Sequence, residues 1–370
     1  MGWPYFRQET GEGLSPPTDR PIMLHFATLF DRNFLARGMA LCDSLHRHCP
    51  VFTLYVLCLD DASHEEITAA AERRPGIVPI HLREIEAHDP ALKAARTNRS
   101  LIEYYFTLSP CLPLYVLKRY GPDHVCTLDA DQLFFSDPTP LFGLLRDHSV
   151  LITAHDFSPG LEEFRKYGAY NVSFQIFKHD DVALGCLERW RSQCLDWCKD
   201  EYDEPSGRFA DQKYLDGWPS LLGDRLHVFS RPGVGLAAWN FNRFRLSKGE
   251  SGYLVDGQPL MLVHFHGFKP FSPRLAGNSF GLYRVRPCPI LAEIYAEYWG
   301  HLREKQARLG DVTERGVRGP SYGRLFERLA KEKTLYFRFV GKRIRHVRVS
   351  KLEGLLARLL ARLSAYPTRS

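Results

Sequence analysis

Apolar runs of strand length alternate with segments of helical period from the start of the chain, and no other feature narrows the fold as much. Ile22-Met23-Leu24-His25-Phe26-Ala27-Thr28 reads as a buried strand. Phe34 to His46 follows with Leu35, Met39, Leu41, Cys42 and Leu45 at helical spacing. Leu54-Tyr55-Val56-Leu57-Cys58-Leu59 is a second buried strand, and Ser63 to Glu72 a second helix, with Ser63 as N-cap and Glu66 three residues on. Strand, helix, strand, helix with apolar strands predicts an α/β fold: a mostly parallel sheet with crossover helices. Further on, the pattern predicts a helix from Leu112 to Tyr120 and strands at Val125–Leu128, Val150–Ala154, Asn171–Phe177 and Leu262–Phe265. Helices are predicted over Asp181–Lys199 and Pro289–Leu309.

One strand ends in chemistry. Val125-Cys126-Thr127-Leu128 runs directly into Asp129-Ala130-Asp131. Ligands of open α/β sheets bind at the carboxyl ends of strands. Two hard oxygen ligands there suit Mg²⁺ or Mn²⁺ bridging a diphosphate, and the small Ala130 lets backbone approach a ligand. A solvated pair of loop carboxylates is the plain alternative. Asp137-Pro138 then closes the element as a turn.

Five blocks in order, from about residue 22 to 271, resemble the GT-A glycosyltransferases, and among them the family-8 retaining enzymes and related bacterial transferases. The carboxylate pair is one of them. Phe26-Ala27-Thr28-Leu29-Phe30-Asp31-Arg32-Asn33-Phe34 is similar to the family's nucleotide-binding loop, and the resemblance implies that Ala27, Asp31 and Asn33 line base and ribose. Ordinary turn and cap chemistry is the other reading of Asp31 and Asn33. Tyr170-Asn171-Val172-Ser173 matches the family's donor-sugar Asn at Asn171, with Ser173 where the family has Gly. Phe209-Ala210-Asp211-Gln212 matches the Asp-Gln pair that implies sugar binding by Asp211 and a place beside the anomeric carbon for Gln212.

The last block, Leu262-Val263-His264-Phe265-His266-Gly267-Phe268-Lys269-Pro270-Phe271, resembles the family's His-x-x-Gly-x-x-Lys-Pro stretch, with one residue fewer before the Lys. By this likeness His264 is the third metal ligand, Gly267 lets backbone approach phosphate, and Lys269 holds the diphosphate. His266 is the competing imidazole. A carboxylate–carboxylate–imidazole set is more typical of Mn²⁺ than of Mg²⁺. Ahead of the metal strand, Arg99 or Arg96 is expected to meet the diphosphate, unless Glu103 pairs with it. Trp239 is expected to stack on an acceptor sugar or to be core.

The resemblance implies transfer from a nucleoside-diphosphate sugar, most often a UDP-sugar, with retention, to a glycan or lipid-linked acceptor. A sugar-phosphate nucleotidyltransferase is the rival enzyme, but Phe26 to Phe34 lacks the Gly-rich loop expected of one. A non-catalytic carbohydrate-binding or membrane scaffold on the same fold is the rival from another class.

Charge divides the chain. The formal net charge is +6, yet residues 321–370 carry 13 Lys/Arg against 3 Asp/Glu, which leaves the remainder negative. Within that region Leu352, Leu355, Leu356, Leu359, Leu360 and Leu363 fall on one helical stripe flanked by Lys351, Arg358 and Arg362. An amphipathic helix on an anionic membrane surface is expected, or else one packed on the protein. No nucleic-acid motif accompanies the basic residues, and no nucleic-acid partner is expected.

No run of 18 apolar residues occurs, and Glu9, Glu12, Pro16, Pro17 and Asp19 stand where a secretory signal needs apolar residues. The nine cysteines lack zinc spacing and read as reduced thiols. The expected location is cytoplasmic, either free or peripheral on the inner face of the membrane. The expected organisation is an arm over 1–20, a GT-A domain over 21–275, a helical extension over 276–318 and a basic amphipathic region over 319–370.

Overall fold

The computed structural model describes residues 23–49, 51–229, 232–272, 275–309, 335–340 and 343–347. The chain opens with β1 (Leu24–Phe30), α1 (Leu35–His48), β2 (Phe52–Cys58), α2 (Asp61–Arg73) and β3 (Ile77–His81). Three helices follow: α3 (Leu82–His88), α4 (Pro90–Ala95) and α5 (Leu101–Tyr120). Then come β4 (His124–Leu128), β5 (Gln132–Phe134), α6 (Thr139–Phe142), β6 (Val150–Ala154), β7 (Tyr170–Lys178), α7 (Asp181–Asp196), α8 (Trp218–Leu222) and β8 (Leu226–Phe229).

Seven of these strands form one sheet in the order β3-β2-β1-β4-β7-β6-β8. Only β7 runs against the others, pairing antiparallel with β4 and β6, while β1, β2, β3 and β4 are parallel neighbours. This is the mostly parallel α/β sheet that the alternating pattern predicts. Side chains leaving the two faces enter separate cores. Leu24, Phe26 and Phe30 of β1 meet Leu41 and Leu45 of α1 and Ile67 of α2. Ala27 of the same strand joins Leu108 and Leu112 of α5 and Trp190 of α7 on the other side. The alternation of side chains along a strand produces this division.

The later part of the chain adds smaller sheets. A three-stranded one joins β5 to β9 (Leu236–Ala237) through β13 (Leu262–His264). A second is β10 (Leu246–Gly249), β11 (Gly252–Val255) and β12 (Gln258–Pro259). The third orders β14 (Lys269–Ser272), β15 (Leu275–Asn278), β16 (Leu335–Val340) and β17 (Arg343–Val347). Helix α9 (Pro289–Leu309) lies over a third core that includes Trp239, Phe265, Phe268 and Phe280.

Local chemistry shifts three boundaries from the sequence expectation. Asp60, not Ser63, caps α2: its carboxylate accepts from Ser63 N–H at 2.8 Å, and Ser63 is the reciprocal member of the capping box. Helix α5 starts at Leu101 rather than Leu112, because Ser100 caps it and Glu103 completes the box. Pro110 and Pro113, which argue against helix in sequence, lie buried inside it. Each proline deletes one helix bond, and packing of a mostly apolar helix offsets that loss. Helix α7 ends at Asp196, short of Lys199, where Trp197 turns extended. Beyond residue 319, the described part forms strands β16 and β17 and joins β14 and β15 in one sheet. The leucine stripe over 352–363 lies outside the described residues. All nine cysteines are free thiols, and among the described residues no helix is long and apolar enough to cross a membrane.

Candidate active site

Three backbone events bring the carboxylates and an imidazole together. Strand β4 lies at the centre of the sheet and ends at Leu128, and Asp129 N–H then donates to Ser173 O on β7 at 3.2 Å. The chain turns through buried Ala130 and re-enters as β5. There β13 pairs with it antiparallel, setting His264 opposite Gln132, and Phe265 N–H donates to Asp131 O at 2.9 Å. Residues far apart in sequence thus share one turn.

The His264 Nε2 atom lies 3.0 Å from Asp131 Oδ1 and 3.6 Å from Asp129 Oδ2. One donor atom from each residue falls within 4.8 Å of the others. The side chain of His264 is 6% exposed, that of Asp131 15% and that of Asp129 43%, so the cluster opens to solvent on the Asp129 side. Partial burial pushes the Asp129 carboxyl up to about 6, with the like charge of Asp131 adding to the effect against His264. Burial also opposes ionisation of Asp131, but the His264 contact, helped by Arg37 and His266, holds it down at about 2. Burial works against a charged His264, and the two carboxylates outweigh it and raise its pKa. The site therefore stabilises positive charge between its carboxylates. The donor set, O, O and N, suits Mn²⁺, and His264 Nδ1 on the far side of the ring has no partner. These residues fit a divalent cation.

The competing imidazole, His266, is exposed, its ring centroid 5.7 Å from that of His264 and nearly perpendicular to it. Trp239 is buried rather than offered to solvent. Its ring meets His264 edge-on at 5.3 Å and His266 at 5.5 Å, so it walls the cluster.

Asp211 is 2% exposed and follows Ala210, whose φ of +43° is a strained value for a residue with a Cβ. Its Oδ2 has no partner, and its backbone carbonyl accepts from Trp190 Nε1–H at 2.9 Å. Burial pushes its carboxyl up to about 7, and the charge of Asp129 contributes in the same direction. Gln212 donates its amide to Tyr167 O at 2.9 Å. Asn171 accepts from Ser173 N–H at 2.6 Å and donates to His155 Nε2 at 3.1 Å, next to the register shift between β6 and β7.

The remaining expected residues separate into near and far. Ala27 and Asp129 line one small cavity, with Ser109 and Gln175. Asp31 forms a turn that accepts from Asn33 N–H and from its Nδ2, each at 2.9 Å, and a Tyr105 hydroxyl at 3.4 Å. Gly267 has φ +73°, and a Cβ there would meet Ser279 Cβ at 3.0 Å, so this tight turn requires glycine. Lys269 is exposed at the start of β14.

Arg99 is not brought to the cluster. Its guanidinium donates to Thr107 Oγ1 at 2.6 Å, to Cys194 O at 2.8 Å and to Leu195 O at 2.8 Å. It closes the carboxyl end of α7, where a cation meets the unpaired carbonyls and the negative end of the helix dipole. Arg96 pairs with Glu86, and Glu103 caps α5 instead of meeting either arginine. Arg99→Ala is expected to cost about 2 kcal/mol, the scale of charge-assisted bonds to carbonyls. A lower Tm with normal donor affinity in the folded fraction is the expected observation; weakened donor affinity at unchanged Tm would return Arg99 to the site.

The sequence pattern misses Arg37. From α1 it donates to Phe268 O at 3.1 Å and helps hold Asp131 ionised. Only the pairing of α1 with the His264 loop reveals it, and no motif marks it.

No family model matches the chain. Among curated proteins it is similar to two from Bacillus subtilis (strain 168), both described as uncharacterized. YfnD is 29% identical over 276 residues, 74% of this chain and 87% of that protein. YfnF is 30% identical over 286 residues, 75% of this chain and 92% of that protein. Solved structures with a similar arrangement include galactosyltransferase LgtC in complex with donor and acceptor sugar analogs, at 16% identity, covering 81% of this chain and 99% of that one, TM-score 0.46. Mouse xyloside xylosyltransferase 1 in apo form gives 12% identity, 66% and 98% coverage, TM-score 0.41. The glycosyltransferase GlyE of Streptococcus pneumoniae TIGR4 gives 15% identity, 77% and 63% coverage, TM-score 0.46.

Proposed function

Since the chain belongs to the family of Bacillus subtilis YfnF, whose members compared above carry no named activity, we propose from its own site that it is a metal-dependent GT-A glycosyltransferase. It moves a sugar from a nucleoside-diphosphate sugar, UDP-linked by the family-8 resemblance, to a glycan or lipid-linked acceptor with retention. One observation carries the reading: Asp129, Asp131 and His264 converge within 4.8 Å at the carboxyl end of the central strand.

A divalent cation held there, with Mn²⁺ favoured by the donor set, would supply positive charge against the departing diphosphate. Asp129, Asp131 and His264 would hold it. Lys269 and Arg37 add fixed positive charge for the same oxygens, which lowers the cost of charge developing in the transition state. Asp211 offers a buried oxygen without a partner, the acceptor that a donor-sugar hydroxyl needs. Asn171 keeps one amide hydrogen beyond its bond to His155, and Gln212 is anchored beside Asp211 through Tyr167. Asp31 and Asn33 follow the carboxyl end of β1, and Ala27 lies within that strand opposite Thr127 of β4, where base and ribose would extend from the diphosphate. Gly267 gives the turn that lets Phe268 and Lys269 come close to phosphate.

A donor screen with purified protein and Mn²⁺, following release of nucleoside diphosphate, tests the reading. Release from at least one nucleoside-diphosphate sugar, lost on chelation and restored by Mn²⁺, is expected. Formation of pyrophosphate from a nucleoside triphosphate and a sugar phosphate would instead identify a nucleotidyltransferase.

A further inference from the structure

We propose that Gln132 is a positioning residue that aims His264 at the cation; the inference rests on reading Asp129, Asp131 and His264 as a metal site. Gln132 is fully buried, and neither Oε1 nor Nε2 of its side chain has a hydrogen-bond partner. The next two residues, Leu133 and Phe134, are apolar and equally buried. A primary amide in such a place is unfavourable unless something bonds to it. His264 presents the matching defect, a buried Nδ1 without a partner.

The strand register brings the two defects together. Gln132 of β5 is directly opposite His264 of β13. Phe265 N–H donates to Asp131 O on one side, and Phe135 N–H to Met261 O further along. Hydrogen-bonded pairs alternate in an antiparallel ladder, so Gln132 and His264 form a non-hydrogen-bonded pair. Such pairs have Cα atoms about 4.5 Å apart and side chains on the same face.

An imidazole that holds a cation through Nε2 carries its proton on Nδ1, and that N–H requires an acceptor to fix ring and tautomer. Trp239, on the ring's edge, offers only an N–H donor. Gln132 Oε1, on the residue directly opposite, is the acceptor: its bond from Nδ1–H would hold the ring with Nε2 facing Asp129 and Asp131.

The test compares wild type, Gln132→Met and Gln132→Glu as full-length proteins, titrated with Mn²⁺ alone by calorimetry, with Tm measured without metal. Gln132→Met fills the same space without polar atoms. It is expected to raise the metal-free Tm and to weaken Mn²⁺ binding about 10- to 100-fold, the range for loss of a histidine's orienting partner. Gln132→Glu keeps an acceptor opposite Nδ1 and is expected to stay near wild-type affinity. A residue that merely packs would not separate stability from metal affinity in this way. Wild-type affinity in Gln132→Met overturns the proposal, and so does a loss that Gln132→Glu shares. If wild type itself binds no Mn²⁺, the metal reading fails and Gln132 falls with it.

Discussion

Asp129→Ala is expected to lower metal-stimulated turnover of a nucleoside-diphosphate sugar by about 10³-fold, while the metal-free protein unfolds at the same temperature as wild type or higher. The size follows from several kcal/mol of transition-state charge stabilisation at about 1.4 kcal/mol per decade of rate. The direction of the stability effect follows from the environment. Partial burial, with the like charge of Asp131, pushes the Asp129 carboxyl up. Its ionised form is therefore an electrostatic cost that sets in as pH rises above the unfolded value. The backbone bond from Asp129 N–H to Ser173 O survives the substitution.

Asp131→Ala separates the two roles. It also removes the carboxylate that His264 holds ionised, so it is expected to lose activity and some stability together. The measurements are metal-dependent diphosphate release and calorimetric unfolding at pH 8 without added cation. Near-normal turnover of Asp129→Ala with an unchanged metal requirement would sink the assignment of the site.

Asp211→Asn is expected to stabilise the protein at pH 8 by about 2–4 kcal/mol and to lower turnover by about 10²-fold. Burial raises Asp211 from 3.8 to about 7. A group whose native pKa is raised contributes its full stability below the unfolded value and loses it as pH rises through the native value. Wild-type stability should thus fall, on account of this group, across the window from about pH 4 to 7. In the Asn variant that component is gone, because an amide does not ionise. The loss of turnover comes from the buried Oδ2, a strong acceptor that a donor hydroxyl would use and that an amide replaces poorly. Unfolding curves of both proteins at pH 5 and pH 8 isolate the effect. A wild-type minus variant difference that does not change between those pH values would show that Asp211 is not the buried acid described here.

Arg99 and Arg37 show why the fold brings some residues to the cluster that a sequence pattern does not mark, and keeps others away. An arginine ahead of the metal strand and a carboxylate at its end both look like site chemistry in one dimension. Asp129 and Asp131 are placed by their own strand: a central strand that ends at Leu128 must deliver the next residues to the sheet's carboxyl edge. Arg99 belongs to a loop before α5, and α7, about a hundred residues on, claims its guanidinium. Arg37 carries no motif, yet α1 sets it beside Phe268.

The α/β alternation and the strand that ends in the carboxylate pair were legible in the sequence through side-chain period and strand termini, and the blocks around Asn171, Asp211, His264 and Gly267 through a family likeness read in order. Tertiary structure alone decided that β7 runs against its neighbours, that β5 and β13 pair so as to bring His264 to Asp131, and that Gln132 lies opposite that imidazole. It also decided that Asp211 is buried enough to rise to about 7, and that residues 335–347 extend the sheet of β14 and β15. These outcomes depend on which distant segments exclude water from one another and which partners satisfy their polar groups, and neither is encoded in the spacing along one segment.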